Sequence, residues 1–259
     1  MELQNKVAIV TGGASGLGRA TVSALVAKGM RVAIFDVNAE AGEQAVAELG
    51  SDKVMFRSVD VTSAESAEQA VAAVVENFGG VHLCLNCAGI CPAKKVLDRE
   101  GNAMPLGNFA TAININLVGS FNVARVAAQA MAKNEPMGEA GERGVIINTA
   151  SVAAYEGQIG QSAYSASKGG VVGMTLPMAR DLAPLGIRVM TVAPGIMGTP
   201  MVKAMPENVQ DALVANIQFP KRLGLPEEDF GSLIIHIGEN VYLNGETIRL
   251  DGAIRMPPR

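Results

Sequence analysis

Tyr164 and Lys168 stand four residues apart, and together they are the pair in this sequence best suited to moving a proton. They fall in a run from Ala163 to Leu182 whose alanines, spaced apolar residues and following Pro184 predict a helix. Residues at i and i+4 share a helix face, so phenol and ammonium would lie side by side. A phenol with its ordinary pKa of about 10 is a poor proton acceptor at neutral pH unless a fixed positive charge stabilises the phenolate. Lys168 is placed to supply that charge. Taken alone, the pair also describes a surface tyrosine beside a solvated lysine, so the rest of the chain has to decide.

A second chemical signal lies near the start. The β-branched run Val7 to Thr11 predicts a strand, Gly12-Gly13-Ala14-Ser15-Gly16-Leu17-Gly18 follows it, and Arg19 to Lys28 reads as an amphipathic helix closed by Gly29. Strand, glycine loop and helix form the setting in which backbone N–H groups meet a pyrophosphate. A plain tight turn is the bland alternative. The strand Arg31 to Phe35 ends at Asp36, twenty residues beyond Gly16. A carboxylate there accepts from adenosine ribose hydroxyls and repels a 2′-phosphate. Neither the loop nor the two residues after Asp36 carry an arginine, which favours NAD over NADP.

The elements that must position these groups alternate along the chain. Glu40 to Leu49 reads as a helix and Val54 to Val59 as a strand ending at Asp60 and Val61. Thr62-x-x-Glu65 reads as a capping box opening a helix to Phe78. Val81 to Asn86 is a fourth strand, and a polar segment from Ile90 to Gly107 is long enough to be a lid. Its Lys94 and Lys95 are either a solvated pair or a site for an anionic tail such as a coenzyme A phosphate. Phe109 to Lys133 is helical by period, with Asn114 and Asn116 signalling a kink or a polar task. A surface loop from Asn134 leads to the strand Val145 to Thr149, which puts Ser151 at a strand's carboxyl end. The strand Arg188 to Val192 runs into Pro194 and Gly195, and the stretch holding Met197, Met201 and Met205 reads as an adaptable flap, about residues 195–223. A helix from Phe230 to Ile237 and a strand from Gly245 to Leu250 follow. This α/β alternation, without repeats or a linker, predicts one domain over 1–259 with a parallel sheet.

Composition narrows the partners. A net charge of −4 and a pI near 5.3 offer no footprint for nucleic acid or an anionic membrane. No apolar run approaches the roughly 18 residues of a membrane span. The start of the chain runs directly into a strand pattern, so a cytoplasmic protein is expected. Cys84, Cys87 and Cys91 are too few and too clustered for a disulfide framework, and no second Cys/His pair stands near them, so no metal is expected.

The motifs Thr11-Gly-x3-Gly-x-Gly18, Asn86-x-Ala-Gly89, Asn116, Ser151, Tyr164-x3-Lys168 and Pro194-Gly195, in that order, resemble the short-chain dehydrogenase/reductase family. The resemblance spans Val7 to Asp251 and implies a single-domain Rossmann fold, a doubly wound seven-stranded parallel sheet flanked by helices, assembled as a homotetramer. Stretches such as Gly144 to Ala154, Tyr164 to Gly170 and Arg249 to Met256 are similar to the NAD-dependent 3-hydroxyacyl-CoA dehydrogenase branch of that family. The resemblance implies Ser151, Tyr164, Lys168 and Asn116 as catalytic residues, Asn116 by anchoring a relay water. It implies a cofactor site of Gly12, Ser15, Gly16, Leu17 and Gly18 at the pyrophosphate, with Asp36 at the ribose and Asp60 and Val61 at the adenine. Cys87, Gly89, Tyr164, Lys168, Pro194, Met197 and Thr199 would serve the nicotinamide side, although the branch usually carries phenylalanine where Met197 stands. Ser151, Gln158 and Tyr164 would position the substrate oxygen. The expected substrate is a small molecule, 3-hydroxyacyl-CoA or 3-oxoacyl-CoA. The competing readings are an NAD-dependent steroid or other secondary-alcohol dehydrogenase, an acyl-carrier-protein reductase using NADPH, and an NAD-binding scaffold or sensor.

Overall fold

The strands are short apolar runs that alternate their side chains between two covered faces. A computed structural model describes residues 1–258, the side chain of Met201 excepted; Arg259 and that side chain lie outside the described residues. The strands are β1 (Val7–Thr11), β2 (Arg31–Asp36), β3 (Val54–Ser58), β4 (Leu83–Asn86), β5 (Gly144–Thr149), β6 (Ile187–Pro194) and β7 (Thr247–Leu250). All pair in parallel, in the order β3-β2-β1-β4-β5-β6-β7.

The helices are α1 (Gly16–Ala27), α2 (Ala39–Leu49), α3 (Ala64–Phe78), α4 (Leu106–Ile113), α5 (Gly119–Met131), α6 (Ser162–Leu182), α7 (Pro200–Lys203), α8 (Glu207–Ala215) and α9 (Ser232–Glu239). Val7 and Ile9 of β1 pack with side chains of α3, α5 and α6, whereas Ala8 and Val10 pack with α1, α2 and α9. Period-two alternation within each strand thus feeds two cores, one per sheet face. The chain order reverses between β1 and β4, which leaves a crevice at their carboxyl ends. Every chemically promising residue of the first half reaches that edge.

Three details depart from the sequence-based reading. Ser63, not Thr62, caps α3, its hydroxyl accepting from the Ser66 amide at 3.2 Å. Thr62 is drawn away because its own amide and hydroxyl donate to Asp60 at 2.9 and 2.7 Å. Second, the predicted long helix over 109–133 starts earlier, at Leu106, and widens into a π-helical turn, Asn114–Val118, between α4 and α5. Such turns frequently mark functional positions, and the asparagines that signalled a kink sit within this one. Third, the methionine-bearing stretch forms two short helices, α7 and α8. Among the described residues, no helix is long and apolar enough to cross a membrane.

Phe230 closes the α1/α9 core. It lies on the π-helical turn Pro226–Gly231 before α9 and is fully buried. Phe230→Ala should lower unfolding free energy in urea by about 3–5 kcal/mol; a loss under about 1 kcal/mol would show that the cavity collapses.

Candidate active site

The crevice at the β1/β4 reversal is a cleft of about 590 Å³. Its floor is the glycine loop. Gly12 and Gly16 have φ of +63° and +54°, in the left-handed region that favours glycine. A Cβ on Gly12 would stand 2.9 Å from the Ala88 backbone, and one on Gly18 would overlap the Gly12 carbonyl oxygen. The first bond of α1 runs from the Arg19 amide to the Ser15 carbonyl at 3.0 Å, which leaves the amides of Gly16, Leu17 and Gly18 without intrahelical partners. Ser15, Gly16, Leu17 and Gly18 all line the cleft. An anion suits that helix start.

Asp36, Asp60 and Val61 line one end of the cleft, and Cys87, Gly89, Thr149, Thr199 and Pro200 the other. The Asp36 carboxylate accepts from the Ala14 and Asn38 amides, both at 3.1 Å, which fixes it against the glycine loop. No residue lining the cleft is basic. The Asp60 carboxylate is committed to Thr62, so its side chain shapes the turn. Val61 is held by Asn122, whose amide donates to the Val61 and Ser63 carbonyls at 2.8 and 3.0 Å. A glycine cradle that no side chain fills, free helix-start amides and an acidic far end together fit an elongated dinucleotide.

The acid–base group lies beyond the Cys87 and Thr149 end. Ser151 follows β5 and its Oγ accepts from the Ala153 amide at 3.1 Å, while its hydroxyl stands near enough to the Tyr164 phenol to pull that group's pKa down. Lys168 is buried at 5% exposure, its Nζ donating to the Thr149 carbonyl at 2.6 Å. The ammonium stands 5.8 Å from the centre of the Tyr164 ring. Burial pushes the Lys168 pKa down to about 8. Burial also pushes the Tyr164 phenol up to about 12, against the opposing pull of the Ser151 hydroxyl. The Lys168 ammonium faces the Tyr164 ring and the Thr149 carbonyl, and burial is the largest influence on the phenol.

Asn116 is fully buried in the π-helical turn. Its Oδ1 accepts from the Ile90 amide at 2.8 Å, and its Nδ2 donates to the Ile90 carbonyl and to Ser167 Oγ, both at 2.9 Å. Ser167 in turn donates to the Tyr164 carbonyl at 2.7 Å. Asn116 therefore ties the wall of the cleft to the helix that carries Tyr164 and Lys168. Both its N–H donors are occupied by protein groups.

Two sequence-based placements change. Met197 was expected against the cofactor; its side chain is buried against Gly224 and lines a separate cavity of about 130 Å³ beside Ile217 and Asp251. Only Thr199 and Pro200 of that segment reach the cleft, while Pro194 is buried at the end of β6. Gln158 was expected at the substrate oxygen; its Nε2 donates one N–H to the Pro257 carbonyl at 3.1 Å, leaving the other N–H and the amide oxygen for that task. Cys84 and Cys87 pack into opposite faces of the sheet, and burial pushes their thiols up to about 12 and about 11. Among the described residues, no cluster of three His, Cys, Asp or Glu side chains is arranged to hold a metal.

Sequence reasoning gave no task to the side chains of Thr11, Thr149 and Ser167. Thr11 Oγ1 accepts from the Cys87 and Ala88 amides at 3.1 and 3.0 Å, which pins the end of β4 to that of β1. The available signal was a hydroxyl residue at the last position of two strands sharing one sheet edge.

The short chain dehydrogenase family profile matches residues 6–210. The 3-hydroxyacyl-CoA dehydrogenase type-2 of Homo sapiens is 52% identical over 253 residues, covering 97% of this chain and 96% of that one. The Drosophila melanogaster protein of the same name is 52% identical over 257 residues, covering 99% and 100%. The crystal structure of 3-hydroxyacyl-CoA dehydrogenase type-2 from Mycobacterium avium superposes with a TM-score of 0.93 at 43% identity, covering 100% of both chains.

With burial dominant, Tyr164 keeps its proton at neutral and mildly alkaline pH. An ultraviolet difference titration of the free protein against Tyr164→Phe should show no Tyr164 phenolate up to about pH 10, below the value of about 12. Ionisation below about 8 would mean that Lys168 dominates after all.

Proposed function

The chain belongs to the short chain dehydrogenase family and is an oxidoreductase served by a nicotinamide cofactor, and from that premise we propose that it interconverts 3-hydroxyacyl-CoA and 3-oxoacyl-CoA with NAD. The observation that carries this reading is the buried Lys168 ammonium, on the same helix as Tyr164, donating to the Thr149 carbonyl at the wall of the dinucleotide-shaped cleft, with Ser151 two residues beyond Thr149. The acyl-CoA substrate class rests on the relatives so named.

When bound, the nicotinamide accepts or returns the hydride. Ser151 donates a hydrogen bond to the substrate oxygen, where charge changes along the reaction. Tyr164 gives its proton to that oxygen in reduction and takes it back in oxidation. Burial raises its pKa, which keeps the phenol protonated in the free protein. Lys168 presents its ammonium to the Tyr164 ring and would hold a ribose hydroxyl of the cofactor. Asn116 acts by holding Ile90 and Ser167, and a relay water at its backbone belongs to the same proposal. Gly12, Ser15, Gly16, Leu17 and Gly18 would cradle the pyrophosphate, Asp36 would hold the ribose, and Asp60 and Val61 the adenine.

The Asp36 carboxylate and the absence of a basic residue among those lining the cleft support NAD over NADP. Exposed Lys94 and Lys95 on the loop after Ile90 are assigned to a phosphate of the coenzyme A tail. The Lys94 amide bonds the Gly160 carbonyl at 2.8 Å, which brings that loop beside the segment leading to Tyr164. Residues 195–223 are assigned as a substrate-side flap of the one domain. Exposed Leu106, Phe121 and Leu176 on α4, α5 and α6 support a homotetramer joined through these helices.

The test is reduction of acetoacetyl-CoA, set against a steroid ketone, each with NADH and NADPH. The expected result is turnover of acetoacetyl-CoA with kcat/KM for NADH above that for NADPH by more than about tenfold. Tyr164→Phe should lose roughly 10²–10⁴-fold in kcat while still binding NADH. Preference for NADPH would refute the role of Asp36, and near-normal turnover by Tyr164→Phe would refute that of Tyr164.

A further inference from the structure

Residues 152–161 link Ser151 to the start of α6, so their shape sets how the Ser151 and Tyr164 hydroxyls meet. Part of that link packs closely on α6 itself, for a Cβ on Gly157 would overlap the Ser165 hydroxyl. Most of its long-range bonds come from another place, the segment that leaves β7. Arg249, in β7, grips Glu156 in the middle of the link with two parallel bonds of 2.8 and 3.1 Å. The same guanidinium bonds Asp251 at 2.8 Å and the Ile254 carbonyl at 3.1 Å, and stacks 5.2 Å from the Tyr155 ring centre.

Beyond the ion pair, the Ile159 amide donates to the Pro258 carbonyl at 3.0 Å, and Gln158 Nε2 to that of Pro257 at 3.1 Å. Beneath these bonds, Val152 packs with Ile217 and Ile254, joined by Ile196 and Met256. That small core brings together the turn after Ser151, the proposed flap and the segment after β7. Arg249 and Glu156 are each about one quarter exposed, at 24% and 23%. A bidentate, partly shielded pair of this kind is directional and holds its geometry better than an exposed lysine–carboxylate contact.

We propose that Arg249 and Glu156 are positioning residues: their ion pair clamps residues 251–258 onto the link between Ser151 and Tyr164, and so sets the spacing of the two hydroxyls and the substrate side of the cleft. Neither residue touches the cleft that would hold the cofactor. The clamp therefore acts on the ketone and its proton donor and leaves cofactor affinity alone. This inference rests on the proposed roles of Ser151 and Tyr164.

The test uses Glu156→Gln, Arg249→Met and Arg249→Lys, with two readouts. Hydrogen exchange should accelerate at 152–161 by about tenfold or more while the amides of β1 keep wild-type protection. In reduction of acetoacetyl-CoA, KM should rise and kcat fall, each by about fivefold or more, with the Kd for NADH within about twofold of wild type. Arg249→Lys should recover part of the loss, and the Glu156→Gln/Arg249→Met double variant should be no worse than the weaker single variant. Unchanged exchange at 152–161, or kcat and KM within about twofold of wild type, would overturn the proposal. A parallel loss of NADH affinity would overturn it too, by exposing general damage. Failure of the wild-type protein to reduce acetoacetyl-CoA would count against the substrate reading instead, and the exchange comparison, which needs no substrate, would then decide the clamp.

Discussion

A 2.6 Å hydrogen bond from the buried Lys168 ammonium to the Thr149 carbonyl joins α6 to the end of β5. Ser151 lies two residues beyond Thr149, and Tyr164 lies one helical turn before Lys168, so this bond indexes the two hydroxyls against each other. The arrangement costs stability. An ordinary lysine keeps its proton up to 10.5, whereas this one is pushed down to about 8 by burial. Between those values the unfolded chain binds the extra proton, so stability from this group rises as pH rises through that window. Below about 8 the folded protein bears an ammonium at a site that disfavours it. A buried charge kept at such a cost is the signature of a site arranged for chemistry.

The same edge of the sheet is built by polar groups that stitch one strand end to the next. Thr11 holds the amides of Cys87 and Ala88, Asn116 holds both backbone groups of Ile90, and Asn122 holds the turn after Asp60. Each bond satisfies a backbone group that a parallel sheet leaves unpaired where its strands stop. Those bonds also give the cleft rigid walls. The glycine loop contributes close backbone packing, with Gly12 against Ala88 and Gly18 against Gly12, which leaves the start of α1 facing the cleft.

Much of this was legible in the sequence because it rests on local rules. Short β-branched apolar runs located all seven strands, and the glycines before α1 located the cradle, since only backbone geometry was required. Asp36, Ser151, Tyr164 and Lys168 could be placed at strand ends or on one helix face from spacing alone. What sequence could not supply were outcomes decided by competition in three dimensions. Thr62 fits a cap, yet Asp60 captures it and Ser63 takes the position. Met197 lies near the cleft in sequence, yet its side chain turns into a neighbouring cavity. Lys168 stands at the right spacing to face Tyr164, yet the burial that raises the phenol's pKa comes from packing that no spacing encodes. The Arg249–Glu156 pair joins residues 93 positions apart, a distance that no local period encodes.

The central claim is that the buried ammonium of Lys168 organises both the Tyr164 phenol and the cofactor side of the site. Steady-state reduction of acetoacetyl-CoA by Lys168→Met, together with its Kd for NADH, tests this most directly. The account predicts that kcat falls by roughly 10²-fold or more and that NADH binding weakens, in a variant that still folds. Turnover within about threefold of wild type with unchanged NADH affinity would contradict it.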